Sequence, residues 1–242
     1  MVKLHFFAVS DRGVSTANND AFCAEKIGNY HVFGVAEGRP DLSGSGSAST
    51  LAISSLRESV QSHEKSPSAI LEEAVHQSET RIHMYAVKSP ENNGDSTHLS
   101  ACIIDDALNC TILDTGEGNV YLISPDRIHI PRDYPSSGQP EGLGDLSQNP
   151  DGEKNLRDMI SHTLGEPHIL SRSDFVTVNL RDLFLLISSG GLHDFVRKER
   201  IADIVIQNEE NVDTSCEHLL QEALSAGSEQ TITLVLVHGH VH

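Results

Sequence analysis

Five consecutive apolar residues, Leu183 to Ile187, run straight into Ser188-Ser189-Gly190-Gly191. A short unbroken apolar run closed by small residues specifies a strand buried on both faces. The glycines allow the chain to turn sharply where the strand ends. Beyond the turn, Arg197 to Gln207 reads as a helix with Ile201, Ile204 and Val205 on one face. A strand that stops at such a turn presents it to a ligand, and an acidic side chain there would hold a metal. Here the turn carries no acid.

The 242 residues suffice for one large domain, and a hydrophobic fraction of 38% supports a sizeable core. Against 35 acids stand 17 Lys and Arg, a formal net charge of −18. Nucleic acids and anionic membranes are therefore excluded as partners, because phosphate binding wants concentrated cations. No stretch approaches the roughly 20 apolar residues of a membrane span, and the first ten residues are too short and alternating for a signal peptide. Cys23, Cys102, Cys110 and Cys216 form no C-x-x-C pair, which argues against zinc. They read as buried, reduced thiols of a cytoplasmic protein.

In chain order, Leu4, Phe6 and Ala8 alternate as a strand, and Ser10 to Asn19 is a loop. Ala21 to Lys26 and Tyr30 to Ala36 form a hairpin across Gly28-Asn29. Asp20 opens one arm and Glu37 closes the other, so antiparallel pairing brings the two acids to one end of the sheet. Two helices follow, one with Ala48, Ala52, Leu56 and Val60 at i+4 spacing, the next opened by Ser66-Pro67. Leu99 to Asp105, Asn109 to Asp114 and Val120 to Ser124 are strands. Residues 132–154 lack periodicity and read as a mobile flap. Phe175 to Leu180 and Leu183 to Ser188 form a further strand pair through Arg181-Asp182. Asp194 reads as a helix N-cap. Asp213 is expected to cap a last helix, which carries Cys216, Leu219 and Ala223 and stops at Gly227. Thr231 to Val237 is the final strand. His238, His240 and His242 would share one side of an extended tail, either as an adventitious Zn²⁺ or Ni²⁺ binder or as a frayed end. Hairpins without alternating βα units argue for an α+β fold. Its form would be a four-layer α-β-β-α sandwich, two antiparallel sheets flanked by helix pairs, in a single domain spanning 1–242.

This order, with several local strings, resembles the metal-dependent protein phosphatases of type 2C, the PPM family, over nearly the whole chain. Ser10-Asp-Arg-Gly13 through Asn18-Asn-Asp-Ala21 is similar to the family's opening motif, which ends in Asn-Glu-Asp. Val35-Ala-Glu-Gly38 is similar to Val-Ala-Asp-Gly, and Ser45 to Ser49 to the Gly-Glu-x-Ala-Ser that opens the first helix. Gly116-Glu-Gly-Asn119 resembles Gly-Asp-Ser-Arg, and Thr163-Leu-Gly165 fits the leucine-glycine before the late strands. Ser189-Gly-Gly-Leu192 resembles Ser-Asp-Gly-Leu, and Gln230-Thr-Ile-Thr233 resembles Asp-Asn-Ile-Thr.

In that family carboxylates hold two Mg²⁺ or Mn²⁺ ions, and a metal-bridging water attacks phosphoserine or phosphothreonine. The resemblance implies that Asp20 keeps the bridging aspartate, Gly38 the backbone carbonyl ligand, and Glu37 an acid one methylene longer. Glu117 matches an acid associated with a third metal. Gly190 and Gln230 stand where metal aspartates belong. Asn19 replaces a glutamate, Ser15 replaces the arginine that grips phosphate, and Arg39 sits near the usual histidine or methionine. Hard divalent ions need oxygen donors and compensating charge, which Asp20 and Glu37 supply only in part. Two expectations follow. One is a catalytically impaired pseudophosphatase that binds Mg²⁺ or Mn²⁺ weakly or not at all and serves as a binding or regulatory module for a protein partner. The other is a working phosphatase acting on phosphoproteins with rearranged ligands, for which Glu229, Glu117 and Asp194 are the candidate replacements.

Overall fold

A computed structural model of the chain describes residues 2–15, 17–38, 45–61, 65–88, 96–116, 120–125, 127–129, 164 and 175–241. The expected flap at 132–154, and Arg39 and Glu117, lie outside the described residues.

Among the described residues, ten strands form two five-stranded sheets, antiparallel throughout. The first holds β1 (Val2–Asp11), β10 (Ile232–Val241), β9 (Leu183–Ser188), β6 (Val120–Ser124) and β7 (Arg127–His129), in that spatial order. The second holds β2 (Ala21–Ile27), β3 (Tyr30–Gly38), β4 (Thr97–Ile104), β5 (Asn109–Asp114) and β8 (Phe175–Asn179). Helices α1 (Ser45–Val60) and α2 (Pro67–Lys88) cover the outer face of the second sheet. The four-residue α3 (Gly190–His193), α4 (Lys198–Gln207) and α5 (Val212–Ser225) lie with the first.

Alternation along the strands divides the core into three. On β3, Phe33 and Val35 point between the sheets and meet Leu185, Ile187, Val235 and Val237. Val32 and Ala36 point outward to Ala52, Leu56 and Ile70. Gly34 is required on that outer face, because a Cβ there would lie 2.9 Å from Leu56 Cδ2. Across the molecule, Phe184, Leu186 and Leu236 pack under Ile201, Val205, Cys216 and Leu219. The four-layer α+β sandwich read from the sequence is therefore the architecture found.

Four local expectations are corrected. β8 and β9 are consecutive but not paired: β8 is an edge strand against β5, whereas β9 lies between β10 and β6. The reason is coverage. Leu183 to Ser188 is apolar on both faces and needs neighbours on both sides, while Thr177 and Asn179 of β8 are exposed. The link at Asp182, with φ of 55°, turns the chain from one sheet to the other. The cap of α5 is Asn211, whose side chain accepts from the N–H groups of Asp213 and Thr214, both at 3.1 Å; Asp213 itself lies inside the helix. Asp194 caps no helix start: it closes α3, its N–H donating to Gly190 O at 3.1 Å, and α4 opens at Arg197 with no side-chain cap. The tail is not frayed, since β10 continues through His238 and His240 with Val2 paired to Val241.

The Ser66 hydroxyl does accept from the Ala69 N–H at 3.4 Å, and Gly227, at φ +91°, follows the last turn of α5. None of the helices among the described residues is long and apolar enough to cross a membrane.

Candidate functional site

The β2–β3 ladder ends with Ala21 across from Ala36. One step further, Asp20 lies across from Glu37, as hairpin pairing requires. From the other sheet, β9 ends at Ser188 beside Leu234 of β10, which delivers Ser189, Gly190 and Gln230 to the same end of the sandwich. Ser15, Asn19, Asp20, Glu37, Gly38 and Gln230 line one cavity of about 90 Å³. Of the residues singled out in the sequence, the described ones meet here, with Gly190 at the margin. Glu229 does not join them with its side chain: it is exposed, and its backbone carbonyl accepts from the Ser15 hydroxyl at 3.4 Å.

Hydrogen bonds fix the floor. The Ser10 and Thr233 hydroxyls are 2.7 Å apart, Asn18 Nδ2 donates to Ser10 Oγ at 2.8 Å, and the Asp20 N–H donates to Asn18 Oδ1 at 3.0 Å. Ser189 joins β9 to β10, its Oγ accepting from the Thr233 N–H at 2.9 Å. Asn19 is held by its carbonyl, which accepts from Ser49 Oγ of α1 at 2.6 Å. These small polar residues lie within the strings singled out in the sequence, but only the fold reveals that they set the position of Asp20.

Glu37 and Gly190 are coupled. The Gly190 N–H donates to Glu37 Oε1 at 3.0 Å. A Cβ on Gly190 would lie 2.8 Å from that same oxygen, 3.1 Å from Asp194 Oδ2 and 3.2 Å from Gln230 Oε1. The extra methylene of Glu37 thus carries its carboxylate into the space that a side chain at 190 would occupy. Asp194, one of the candidate replacement ligands, is a neighbour of this site. Its signal was spacing: four residues after Gly190, one helical turn returns its side chain to the same spot.

Burial and mutual repulsion dominate the electrostatics. Burial raises Asp20 to about 6, although hydrogen bonding from the Thr233 and Ser189 hydroxyls and the Gly38 N–H offsets part of the rise. Asp20 Oδ2 is buried with no hydrogen-bond partner. Glu37 is raised to about 7 by burial and then by the Asp20 charge, with the Gly190 N–H opposing and Asp194 and Asp114 adding to the rise. Two acids so placed resist ionising together.

The residues present do not fit a pair of Mg²⁺ or Mn²⁺ ions. Position 190 offers an N–H where a carboxylate is needed, Gln230 offers a neutral oxygen, and Glu37 is engaged with Gly190. Among the described residues, no three of His, Cys, Asp and Glu stand together at coordinating distance as the side chains are placed.

The sandwich, its helix pairs and the position of this cavity define the fold of the type 2C serine/threonine protein phosphatases. Among solved structures of that fold, the chain superposes on the Mycobacterium tuberculosis serine/threonine phosphatase PstP/Ppp. The TM-score is 0.77 at 21% identity, with all of both chains covered. The catalytic domain of PstP solved with two manganese ions also gives 0.77, at 20% identity and full coverage. The phosphatase Stp1 from Staphylococcus aureus gives 0.76 at 19% identity, covering 98% of this chain and 95% of the other. No family profile matches the sequence, and no curated protein matches it.

Proposed function

We propose that the chain is a pseudophosphatase: the type 2C fold kept as a binding or regulatory module, with catalysis impaired. The observation that carries this reading is the Glu37–Gly190 contact, in which the surviving carboxylate fills the place of the missing one and bonds to its backbone. With Gln230 beside them, charge compensation for two divalent ions is absent, and closely held ions would repel. Mg²⁺ or Mn²⁺ then binds weakly, one ion at most, at Asp20. The partner is a protein or phosphoprotein met at the groove beside Glu37 and Gly190, where the exposed Arg12 offers an anion contact. A reducing, cytoplasmic compartment accords with four free, buried cysteines.

Calorimetric Mn²⁺ titration and turnover of an aryl phosphate test this together. The expected result is weak binding and little hydrolysis. Strong Mn²⁺-dependent turnover that disappears in Asp20→Ala would overturn it. The opposite reading, a working phosphatase with rearranged ligands, draws on Asp194, whose carboxylate stands 3.1 Å from the Cβ position of residue 190. In that case Asp194→Asn abolishes the turnover.

A further inference from the structure

Far from this cavity, at the end of the first sheet, lies a second hollow of about 610 Å³. Three histidines line it. His5 of β1 is the cross-strand partner of His238 on β10, so the two rings share a face. His240, two residues on, shares that face by strand alternation. The rings of His238 and His240 are 5.6 Å apart between centroids. His238 is held from the other side by Phe184 of β9, stacked at 3.9 Å with the planes 15° apart.

The spacing is fixed by the backbone. Asp182, at φ 55°, donates its N–H to Gly239 O at 2.7 Å, and a Cβ on Gly239 would strike the Leu180 carbonyl. Residue 239 must therefore be glycine for the chain to pass this close, and the contact brings the Asp182 carboxylate to 3.9 Å from His240 Nδ1. Glu209, Glu210 and Asp213, around the start of α5, add negative charge to the rim. Lys3, across from His240, is exposed.

From this juxtaposition we propose a binding site for a divalent transition-metal ion, Zn²⁺ or Ni²⁺ in class, held by His5, His238 and His240 with Asp182 as the oxygen donor. Imidazoles at i and i+2 of one strand, with a third across the ladder, can converge on one ion. That donor set suits zinc, nickel or copper and leaves the hard ions Mg²⁺ and Ca²⁺ unsatisfied. The acidic rim offsets the ion's charge and excludes anionic ligands. Among the described residues no three such groups already stand at coordinating distance, so binding turns the outer rings of His5 and His240 about their side-chain torsions. His238 stays stacked on Phe184.

The site is independent of the phosphatase-like cavity, and the experiment separates them. The full chain is titrated calorimetrically with Zn²⁺, Ni²⁺ and Mg²⁺, and the histidine ring resonances are followed by NMR. Zn²⁺ and Ni²⁺ are expected to bind with one equivalent while Mg²⁺ does not bind here, and the His5, His238 and His240 rings respond together. The double variant His5→Asn, His240→Asn spares the packed His238 and should lose affinity by at least about tenfold. Asp20→Asn should leave it unchanged. No Zn²⁺ binding, or an unchanged affinity in the double variant, overturns the proposal.

Discussion

Glu37 has one methylene too many for a metal aspartate, and Gly190 has no side chain at all; each fits only because of the other. Gly190→Asp alone would push a Cβ to 2.8 Å from Glu37 Oε1 and place another carboxyl beside Asp20 and Asp194. It is expected to destabilise the protein by about 1–3 kcal/mol, measured by urea denaturation. Adding Glu37→Asp should recover most of that loss, because shortening 37 vacates the space that 190 fills, and a double-mutant cycle would report the coupling. Mn²⁺ affinity should rise only when Gln230→Asp is present too, since the donors act as a set. The buried acids also make a pH prediction. Asp20 and Glu37 have folded pKa values raised to about 6 and about 7, well above the ordinary carboxylate range. Their contribution is intact when both are protonated, below the unfolded values, and is lost as pH rises through the folded ones. The melting temperature should therefore climb as pH falls from 8 to about 5. Glu37→Gln should flatten that slope and raise stability at pH 8; a melting temperature that instead falls with acid over this window would contradict the assignment.

At the scale of elements, what the sequence declares depends on whether the signal is local. Periodicity placed α4 and α5 and their buried faces correctly, because Ile201, Ile204 and Val205, then Cys216, Leu219 and Ala223, repeat at helical spacing. The meeting of Asp20, Glu37, Gly190 and Gln230 was legible from motif order. Which strand pairs with which was not: β8 and β9 look like a hairpin, and only the need to cover β9 on both faces sends them to different sheets. Caps failed for a related reason, since Asn211 and Asp213 are both good N-cap residues and the exact turn is decided by where Val212 is buried. The two carboxamide-to-backbone bonds at Asn211 predict that Asn211→Ala costs about 1 kcal/mol, while Asp213→Ala costs only a few tenths through the helix dipole. Thermal melts of the two variants distinguish them. Leu185, fully buried between β10 and β6, should cost about 2–5 kcal/mol when cut to alanine.

For the whole molecule, the order in which the strands are joined matters as much as the layers they form. The second sheet is assembled largely from neighbours in sequence, β2 with β3 and β4 with β5, under α1 and α2. The first sheet is closed by β1 and β10, and the bond between the Ser10 and Thr233 hydroxyls joins residues 223 apart. Contacts so distant along the chain are slow to form, because loop closure must come before they can contribute. As the chain emerges during synthesis, β1 is made before the other described strands and has no partner in its sheet until β10 follows. Strand β9 likewise waits for it on one side. The half-made protein is therefore a covered sheet preceded by an unpaired, largely apolar β1, open to chaperones and to other copies. Pulsed hydrogen exchange during refolding should find the amides of β3, β4 and α1 protected before those of β1 and β10. Simultaneous protection would mean that the two sheets form as one cooperative unit.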